Sequence, residues 1–448
     1  MANTYLKRTG ISSGNQKKWT FSGWFKKARN GAEMRLTSSS DNSSYDDAIR
    51  FNSDDTFKVG FNNASVLVTN RKFRDITCYY HIVVKVDTDQ ASANDRIVLY
   101  INGVDERTVG GYSTSSMPNQ GVTGYINYNA FYIGVTNPTA NSHHFNGIMS
   151  HVHFTDGYAY TASSFGSTNS ATGEWEINTS PSVTYGNNGF WLLKNDNAVT
   201  DRSGQGNNFT SVGAGVTKTE DNPSNVFATW NYVSTVGWYK QAGYVDFYNG
   251  TTKIAEAGGN YKNTTSTVGA FTGKYYFETK MISPNNSLAE STYVGVITAN
   301  DQAKIGDNYN HIGETANSVG YNSYAGQVFV SNSGSNYGSA LANGDILCVA
   351  LDVTNKKVYF RKNADAWFNS GNPESGATGT GAVSLPTTGD AWLFGGSPRN
   401  SSIESNFGNG YFGITAVSSA GTNASNNGIF EFDVPAGFTA LSTKGLNT

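Results

Sequence analysis

Residues 344–363 read GDILCVALDVTNKKVYFRKN, and this stretch decides the fold class. Apolar side chains occupy every second position from Leu347 to Val353, so they share one face of an extended chain. Residues 355–356 interrupt the pattern with turn chemistry, and a second alternating arm follows at 357–363. The stretch therefore predicts a β-hairpin that buries one face in a hydrophobic core.

Similar alternating strands recur along the chain. Large apolar residues alternate at 57–61 and 82–86, and the run at 97–101 leads into the Asn102-Gly103 pair. An Asn-Gly pair beside alternating runs is the strongest short-range signal of a hairpin. Composition agrees, because the 448 residues include 50 Gly, 26 Tyr and 25 Phe, while only 15% are charged. We therefore predict an all-β protein with little helix.

The length requires more than one hydrophobic core. Single cores stop growing at about 250–300 residues, so 448 residues predict two domains. We place the first domain at residues 1–180, a connector at 181–228 and the second domain at 229–448. Turn signals are dense in the connector, for example at 201–208 and 221–225. The predicted fold is two tandem antiparallel β-sandwiches.

Four motifs follow one another in the first segment: a Trp-containing strand at 19–26, a strand at 80–87 that begins Tyr-His, a strand running into Asn-Gly at 97–103, and a strand at 145–154. This order resembles a concanavalin A-like jelly roll of the laminin G type, in which the last motif is the closing strand. The resemblance covers nearly all of the first segment and implies a two-sheet sandwich.

The second segment carries its own ordered set of motifs, at 273–280, 293–296, 318–321, 344–352, 357–363, 406–408 and 435–438. This set resembles a SPRY domain and implies a second antiparallel sandwich. The sequence departs from the family where Ala364 replaces the usual glycine, and a Gly/Ser/Thr-rich loop follows at 371–381. The binding residues of better-known SPRY domains are therefore not carried over to this chain.

The tandem order resembles structural proteins of tailed phages, especially marine ones. This resemblance implies a non-enzymatic virion component, assembled in the host cytoplasm, that contacts other virion proteins on a capsid or tail. Jelly-roll motifs that begin close to Met1, with no stalk-like repeat, favour a compact docked protein. Two alternatives stay open: an adhesin that binds a host-surface glycan, and a polysaccharide hydrolase. A homo-oligomer is compatible with each.

Charge and hydropathy exclude several classes of partner. The formal net charge is −3 and no long Lys/Arg run occurs, so we expect no nucleic-acid binding. The Lys pairs at 17–18 and 26–27 are expected on the solvated side of strands. The chain has no apolar stretch of about 20 residues and no signal-peptide core, so we expect neither a membrane span nor signal-directed secretion. Cys78 and Cys348 are expected to be buried free thiols.

Two acidic pairs come nearest to a catalytic arrangement. Retaining glycosidases need two carboxyl groups about 5–5.5 Å apart, which on one strand places acids at alternate positions. On one strand such a catalytic pair occurs in the pattern E-x-D-x-x-E, which contains a third acid. Glu174 and Glu176 fit the alternate spacing but lack that third acid. Glu431 and Asp433 also fit it, but Pro435 interrupts that strand. We therefore predict no catalytic residue and no enzymatic activity.

The histidines form one local cluster, made of His143, His144, His151 and His153. His151 and His153 lie two apart and could hold zinc from one face of a strand. The alternative is that both face water while their neighbours face the core. No third ligand lies close in the sequence, so we predict no zinc site.

A Ser/Asn-rich loop contains three acids, Asp41, Asp46 and Asp47. Some laminin G-like domains hold calcium at a rim, which would require about 6–8 oxygen ligands. Acidic loop residues are more often solvated, and we predict no metal and no cofactor.

Aromatic residues outside the alternating strands are the candidate binding residues. Exposed aromatic side chains serve as interface anchors and as platforms on which sugars stack. The alternative for each residue is burial in the sandwich. The candidates for binding a partner or glycan are Trp238, Tyr239, Tyr321, Tyr324 and Trp367.

Overall fold

The structure is a computed structural model, and it describes residues 4–12, 14–39, 47–136, 141–194, 199–213, 215–235, 245–283, 287–302, 304 and 311–447. The chain divides into two units, residues 1–218 and 219–448. Strands account for 41% and helices for 7% of the structure, which confirms the predicted all-β class. Within the described residues no helix is long and apolar enough to cross a membrane.

The described residues of the first unit form sixteen strands, which are β1 Tyr5–Thr9, β2 Lys18–Lys27, β3 Met34–Ser38, β4 Ala48–Phe51, β5 Phe57–Phe61, β6 Ala64–Thr69, β7 Tyr80–Asp87, β8 Ile97–Ile101, β9 Val104–Asp105, β10 Tyr112–Ser115, β11 Ala130–Ile133, β12 Gly147–Asp156, β13 Gly166–Thr168, β14 Trp175–Ile177, β15 Phe190–Leu192 and β16 Thr210–Val212. A short helix, α1, spans Ala93–Arg96, and 3-10 turns span Glu106–Thr108 and Ala162–Ser164.

Two antiparallel sheets of this unit enclose one core. One sheet has the order β10-β6-β5-β4-β3-β11-β1-β16, the other has the order β15-β12-β2-β7-β8-β9, and β13 and β14 form a separate hairpin. The core draws alternate residues from both large sheets, including Phe57 and Val59 of β5 and Ile82 and Val84 of β7. The turn after β8 has Asn102 at φ 49° and Gly103 at φ 80°, as the predicted Asn-Gly hairpin requires.

In the part of the second unit that the structure describes there are also sixteen strands, which are β17 Asp246–Tyr248, β18 Lys253–Glu256, β19 Thr264–Thr265, β20 Lys274–Ser283, β21 Ser291–Thr298, β22 Ser318–Asn322, β23 Gln327–Val330, β24 Ser333–Asn336, β25 Ile346–Asp352, β26 Lys357–Lys362, β27 Val383–Ser384, β28 Trp392–Arg399, β29 Ser401–Asn406, β30 Tyr411–Phe412, β31 Thr415–Ala416 and β32 Thr439–Ala440. Helix α2 spans Ala299–Gln302, and 3-10 turns span Tyr232–Thr235, Phe368–Ser370, Pro373–Thr378 and Gly445–Asn447.

The two large sheets of this unit have the orders β17-β18-β29-β20-β25-β26-β27 and β19-β28-β21-β22-β23-β24. β32 pairs with β20 in parallel, and β30 pairs with β31. The predicted hairpin forms from β25 and β26, and Leu347, Val349, Leu351 and Val353 all enter the core between the sheets. This confirms the face that the alternation predicts.

Strand β25 buries its second face as well. Ile346, Cys348 and Ala350 pack in a smaller cluster with Phe430 and other residues of the chain between β30 and β32. We call residues 411–438 the covering segment. Its contact with the sheet makes β25 apolar on both sides, as buried central strands are.

The segment 181–228, predicted to be a connector, is instead divided between the two units. β15 pairs with β12, and β16 pairs with β1, so both extend the sheets of the first unit. Farther along, the Phe227 backbone forms a bridge with Ser442 in the second unit. Because these strands are short and their partners are distant in sequence, the local pattern does not show that they belong to the sheets of the first unit.

The Lys pair at 26–27 is buried, contrary to the expected solvated position. Lys27 donates from Nζ to Asp55 Oδ1 at 3.1 Å and to the Phe73 carbonyl at 2.7 Å. Burial lowers the pKa of Lys27. Its strand is central in its sheet, and a buried ammonium is tolerated where acceptors surround it. Lys18, from the other pair, is half exposed and forms an ion pair with Asp87.

Candidate functional site

A groove opens on the second unit beside Trp367. It has a volume of about 780 Å³ and lies between the turns that follow β26 and the covering segment. We call it the Trp367 groove. Its lining residues are Arg361, Trp367, Asn372, Pro373, Glu374, Thr422, Asn423, Ala424, Asp433, Val434, Pro435 and Ala436.

Arg361 forms one wall of the groove. It belongs to β26, where Val358 and Phe360 face the core and Arg361 therefore faces the covering segment. Its guanidinium carbon lies 4.8 Å from the Trp367 ring centroid. Nη2 donates to the Asp433 carbonyl at 2.7 Å. Nε is buried and has no hydrogen-bond partner among the described residues.

Two carboxylates, Glu374 and Asp433, are exposed at the groove, and each is held by one of its oxygens. Glu374 Oε1 accepts the Ala436 N–H at 2.8 Å. Asp433 Oδ1 accepts the Thr422 hydroxyl and N–H, both at 2.7 Å. These bonds, the hydroxyl first, lower the pKa of Asp433. The second oxygen of each acid makes no hydrogen bond to the residues that the structure describes.

A buried acid anchors the covering segment from behind the groove. Glu278 accepts the N–H groups of Glu431 at 2.8 Å and Phe432 at 2.9 Å. It also accepts from the Tyr276 hydroxyl and the Asn406 amide. Burial raises the pKa of Glu278 to about 7, although all four donors favour the charged form. The segment that carries Asp433 is thereby tied to β20.

The five aromatic candidates lie in different environments. Trp367 is half buried and lines the groove. Tyr324 is 39% exposed in the turn after β22, away from the groove lining. Tyr321 is fully buried and stacks on Phe368, so the expected exposed position is wrong for it. Its β22 position alternates into the core. Trp238 and Tyr239 lie outside the described residues.

The polar residues of the groove were missed as candidates. Arg361 could have been recognised from its place in β26, because its strand neighbours alternate into the core. Glu374, Asn372 and Thr422 sit in turn-rich stretches without a periodic signal. Asp433 was considered only as half of a catalytic pair. Its predicted partner, Glu431, instead binds the Ser418 N–H at 2.6 Å.

The outer sheet face of the first unit carries buried histidines. His81 lies between the rings of Trp24 and Trp175, with centroids 4.6 and 5.9 Å away. Trp175 Nε1 donates to His81 Nδ1 at 2.9 Å, so the proton of the neutral ring lies on Nε2 and faces Ser22 Oγ. Burial lowers the pKa of His81 to about 3. Protonation of Nδ1 would break the bond from the indole.

His151 and His153 are also buried, so the expected solvated face is wrong. They lie at a β-bulge of β12, where His151 takes φ 48°. Trp191 packs against both rings, and Tyr185 stacks on His153 and bonds to its Nδ1 at 2.9 Å. Burial lowers the pKa of His151 to about 4. No group of three His, Cys, Asp or Glu in the described residues is arranged to hold a metal ion.

The remaining acidic candidates have local structural partners. Glu176 accepts from the Asn169 amide, and Glu174 accepts from the Thr172 hydroxyl, both in the β13–β14 hairpin. Asp47 is buried and accepts the N–H of Tyr125 at 2.6 Å, so the expected solvated position is wrong for it. Burial raises the pKa of Asp47. Asp41 and Asp46 lie outside the described residues.

The two cysteines are free thiols, as predicted. Cys348 is buried as predicted, but the predicted burial is wrong for Cys78, which is partly exposed and donates to Asp75 Oδ2 at 3.3 Å. Burial raises the pKa of each thiol to about 12.

Both units are therefore antiparallel β-sandwiches. The sequence model of the concanavalin A-like lectin/glucanases superfamily matches residues 2–164, and that of the SPRY domain matches residues 274–369. The chain thus carries a laminin G-like domain followed by a SPRY domain, as the sequence motifs predicted. Domains of these two kinds are commonly non-catalytic binding modules.

Three solved structures are similar to this chain. The SPRY domain of human HERC1 is 16% identical, with 37% of this chain and 92% of that chain covered and a TM-score of 0.28. A second human SPRY domain is 14% identical, with 37% and 94% covered and a TM-score of 0.27. Stonustoxin is 14% identical, with 40% and 27% covered and a TM-score of 0.28. No curated protein matches the chain.

Proposed function

We propose that this chain is a non-catalytic binding protein and that the Trp367 groove is its ligand-binding surface. The observation that supports this most directly is the groove itself, which combines a half-buried indole with polar groups that have unused hydrogen-bonding capacity. Binding sites typically pair an apolar wall with a few fixed polar groups. The Trp367→Ala variant should lose ligand binding while the fold is kept. A pull-down from host extract measures the binding, and near-ultraviolet circular dichroism measures the fold.

We further propose that the protein works in the particle of a tailed phage and contacts other virion proteins. The tandem order of the two domains supports this proposal, because it resembles phage structural proteins. Low charge supports polar and aromatic contacts over ion pairing, since only 15% of the residues are charged.

Mass spectrometry of purified particles tests the virion proposal. The protein should be present, and it should stay attached after a wash at about 1 M salt, where the Debye length falls to about 3 Å. Its absence before the wash would refute membership of the particle. Quantitative loss during the wash would contradict the proposed nature of the contacts.

A second candidate function is a glycan-binding adhesin, favoured by the indole of Trp367 beside two exposed carboxylates. Free protein should then compete with intact particles for the host surface and slow their adsorption. The Trp367→Ala variant should not compete. Adsorption that is insensitive to saturating free protein would contradict this candidate. The hydrolase alternative gains no supporting observation from the described residues.

A further inference from the structure

We propose that the Trp367 groove binds an uncharged glycan, with one sugar ring against the Trp367 indole and its hydroxyls on Glu374 and Asp433. This inference rests on the proposed binding function of the groove and names its ligand class.

Charge at the groove disfavours an acidic ligand. Its lining contains one guanidinium, from Arg361, and two carboxylates, from Glu374 and Asp433. Arg361 is 9% exposed and bonds to the Asp433 carbonyl, whereas both acids are exposed. An anionic sugar would therefore meet two accessible negative charges while the positive charge is largely enclosed.

Hydrogen-bonding groups at the groove match vicinal hydroxyls, which donate and accept together. Glu374 Oε2 and Asp433 Oδ2 are the acceptors left unused by the described residues. Asn372 Oδ1 accepts the Glu374 N–H at 3.0 Å, which leaves the Asn372 amide N–H₂ as a donor. The Trp367 indole N–H has no partner in the part of the chain that the structure describes. Hydrogen-bond donors and acceptors present together beside an aromatic ring suit a polyhydroxylated ring.

Three main-chain donors at the groove are already used within the chain. The Asn372 N–H bonds to the Thr380 carbonyl, and the Val434 N–H bonds to the Thr422 carbonyl, both at 2.9 Å. The Ala436 N–H is used by Glu374. Strand addition depends on free main-chain donors and acceptors, so an extended peptide would find these three donors occupied, which favours a ligand bound by side chains.

The site is also held in place before a ligand arrives. Thr422 fixes Asp433, and Ala436 fixes Glu374, each through a backbone N–H. Arg361 lies against the Trp367 ring and limits its movement. A prearranged site loses less side-chain entropy on binding. The affinity is therefore higher for a ligand that makes few contacts, such as a single sugar chain.

The test uses the purified full chain on an array of neutral oligosaccharides and of sialylated and uronic-acid oligosaccharides, followed by calorimetry with each hit. Neutral glycans should bind. Trp367→Ala should weaken binding by about tenfold or more, because the stacking surface is lost. Glu374→Gln and Asp433→Asn should each weaken it several-fold, and Trp367→Phe should retain most of it. The matched control is Phe271→Ala, since Phe271 is an exposed aromatic residue of the same unit, outside the groove.

The outcomes separate this inference from the proposed function. Neutral binding that Trp367→Ala removes and Phe271→Ala keeps supports both. Binding of acidic glycans alone, with the same sensitivity to Trp367→Ala, overturns the neutral class but keeps the binding groove. Capture of a virion protein through Trp367, without glycan binding, overturns the inference in favour of a protein ligand. If Trp367→Ala changes no binding of any kind in a folded chain, the proposed function of the groove fails as well.

Discussion

Glu278 is a single buried side chain whose protonation is linked to folding. Its native pKa is about 7, against an ordinary value of 4.5. Between these values the native state holds the proton and the unfolded state does not, so the contribution of Glu278 to stability falls as pH rises. The unfolding free energy lost between pH 4.5 and 7 approaches about 3 kcal/mol.

We therefore expect Glu278→Gln to flatten the decline in unfolding free energy between pH 4.5 and 7. Urea unfolding of the wild type and variant at pH 5 and 7.5 measures the difference. Glu404→Gln, which removes an ion-paired acid of the same sheet, should leave the slope intact. Equal slopes in the wild type and Glu278→Gln would show that the native pKa is not raised.

His81 shows the opposite linkage. The unfolded ring takes a proton near pH 6.5, whereas the native ring does so only near pH 3. Unfolded chains therefore bind more protons in this range, and stability falls as pH falls through it, by about 1.4 kcal/mol per pH unit for each such histidine.

We expect His81→Gln to lower the unfolding free energy at pH 7 by about 1–3 kcal/mol, because Trp175 and Ser22 lose their buried partner. Between pH 6.5 and 4 the same variant should lose less unfolding free energy than the wild type does. His143→Gln is the control, since the His143 side chain is 44% exposed. Unchanged acid sensitivity in His81→Gln, measured by chemical unfolding, would contradict the assignment.

At the scale of elements, the covering segment holds the second face of β25. Phe430 is 1% exposed, and its ring meets that of Tyr276 at a centroid distance of 4.9 Å in an edge-to-face arrangement. Cys348 lies in the same cluster. Loss of this ring leaves a cavity that the surrounding strands cannot fill.

Phe430→Ala should therefore lower the unfolding free energy by about 3–5 kcal/mol and speed the labelling of Cys348 by a thiol reagent. Mass spectrometry of the labelled peptide measures the second effect, with Cys78 as an internal reference. The exposed Phe271 supplies the matched variant, Phe271→Ala, which should change neither quantity by much. Wild-type stability in Phe430→Ala would mean that the covering segment is not part of the fold.

Hairpins could be predicted from sequence because their two arms are neighbours in the chain. The β25–β26 and β8–β9 hairpins form where alternation and turn residues indicate them. The pairing of the three-residue strands β15 and β16 could not be predicted in the same way. Each is defined by its partner, β12 or β1, and those partners are remote in sequence.

At the scale of the whole molecule, each unit has its own core, so we expect two thermal transitions. In the first unit burial lowers the pKa of three histidines, His81, His151 and His153, so they favour the native state at higher pH. The raised pKa of Asp47 acts in the opposite direction. In the second unit burial lowers the pKa of His311, which offsets Glu278.

Acidification from pH 7 to 5 should therefore lower the midpoint of the first unit relative to that of the second. Scanning calorimetry across this range measures both transitions, and Phe430→Ala identifies the second by shifting it alone. Equal movement of the two midpoints would contradict the burial of the histidines in the first unit.

The sequence by itself determined the two sandwiches, their order and the core faces of strands such as β5, β7 and β25. Side-chain alternation and turn chemistry depend only on residues that are neighbours in the chain, so the sequence shows them directly. Only the tertiary structure decided what lies on the outer faces. Segments that the sequence shows as turns cover β25 and the histidines, and the burial of Lys27, His153 and Tyr321 follows from strand position. The Trp367 groove forms for the same reason: Arg361 and Asp433 lie 72 positions apart, and folding alone brings them together.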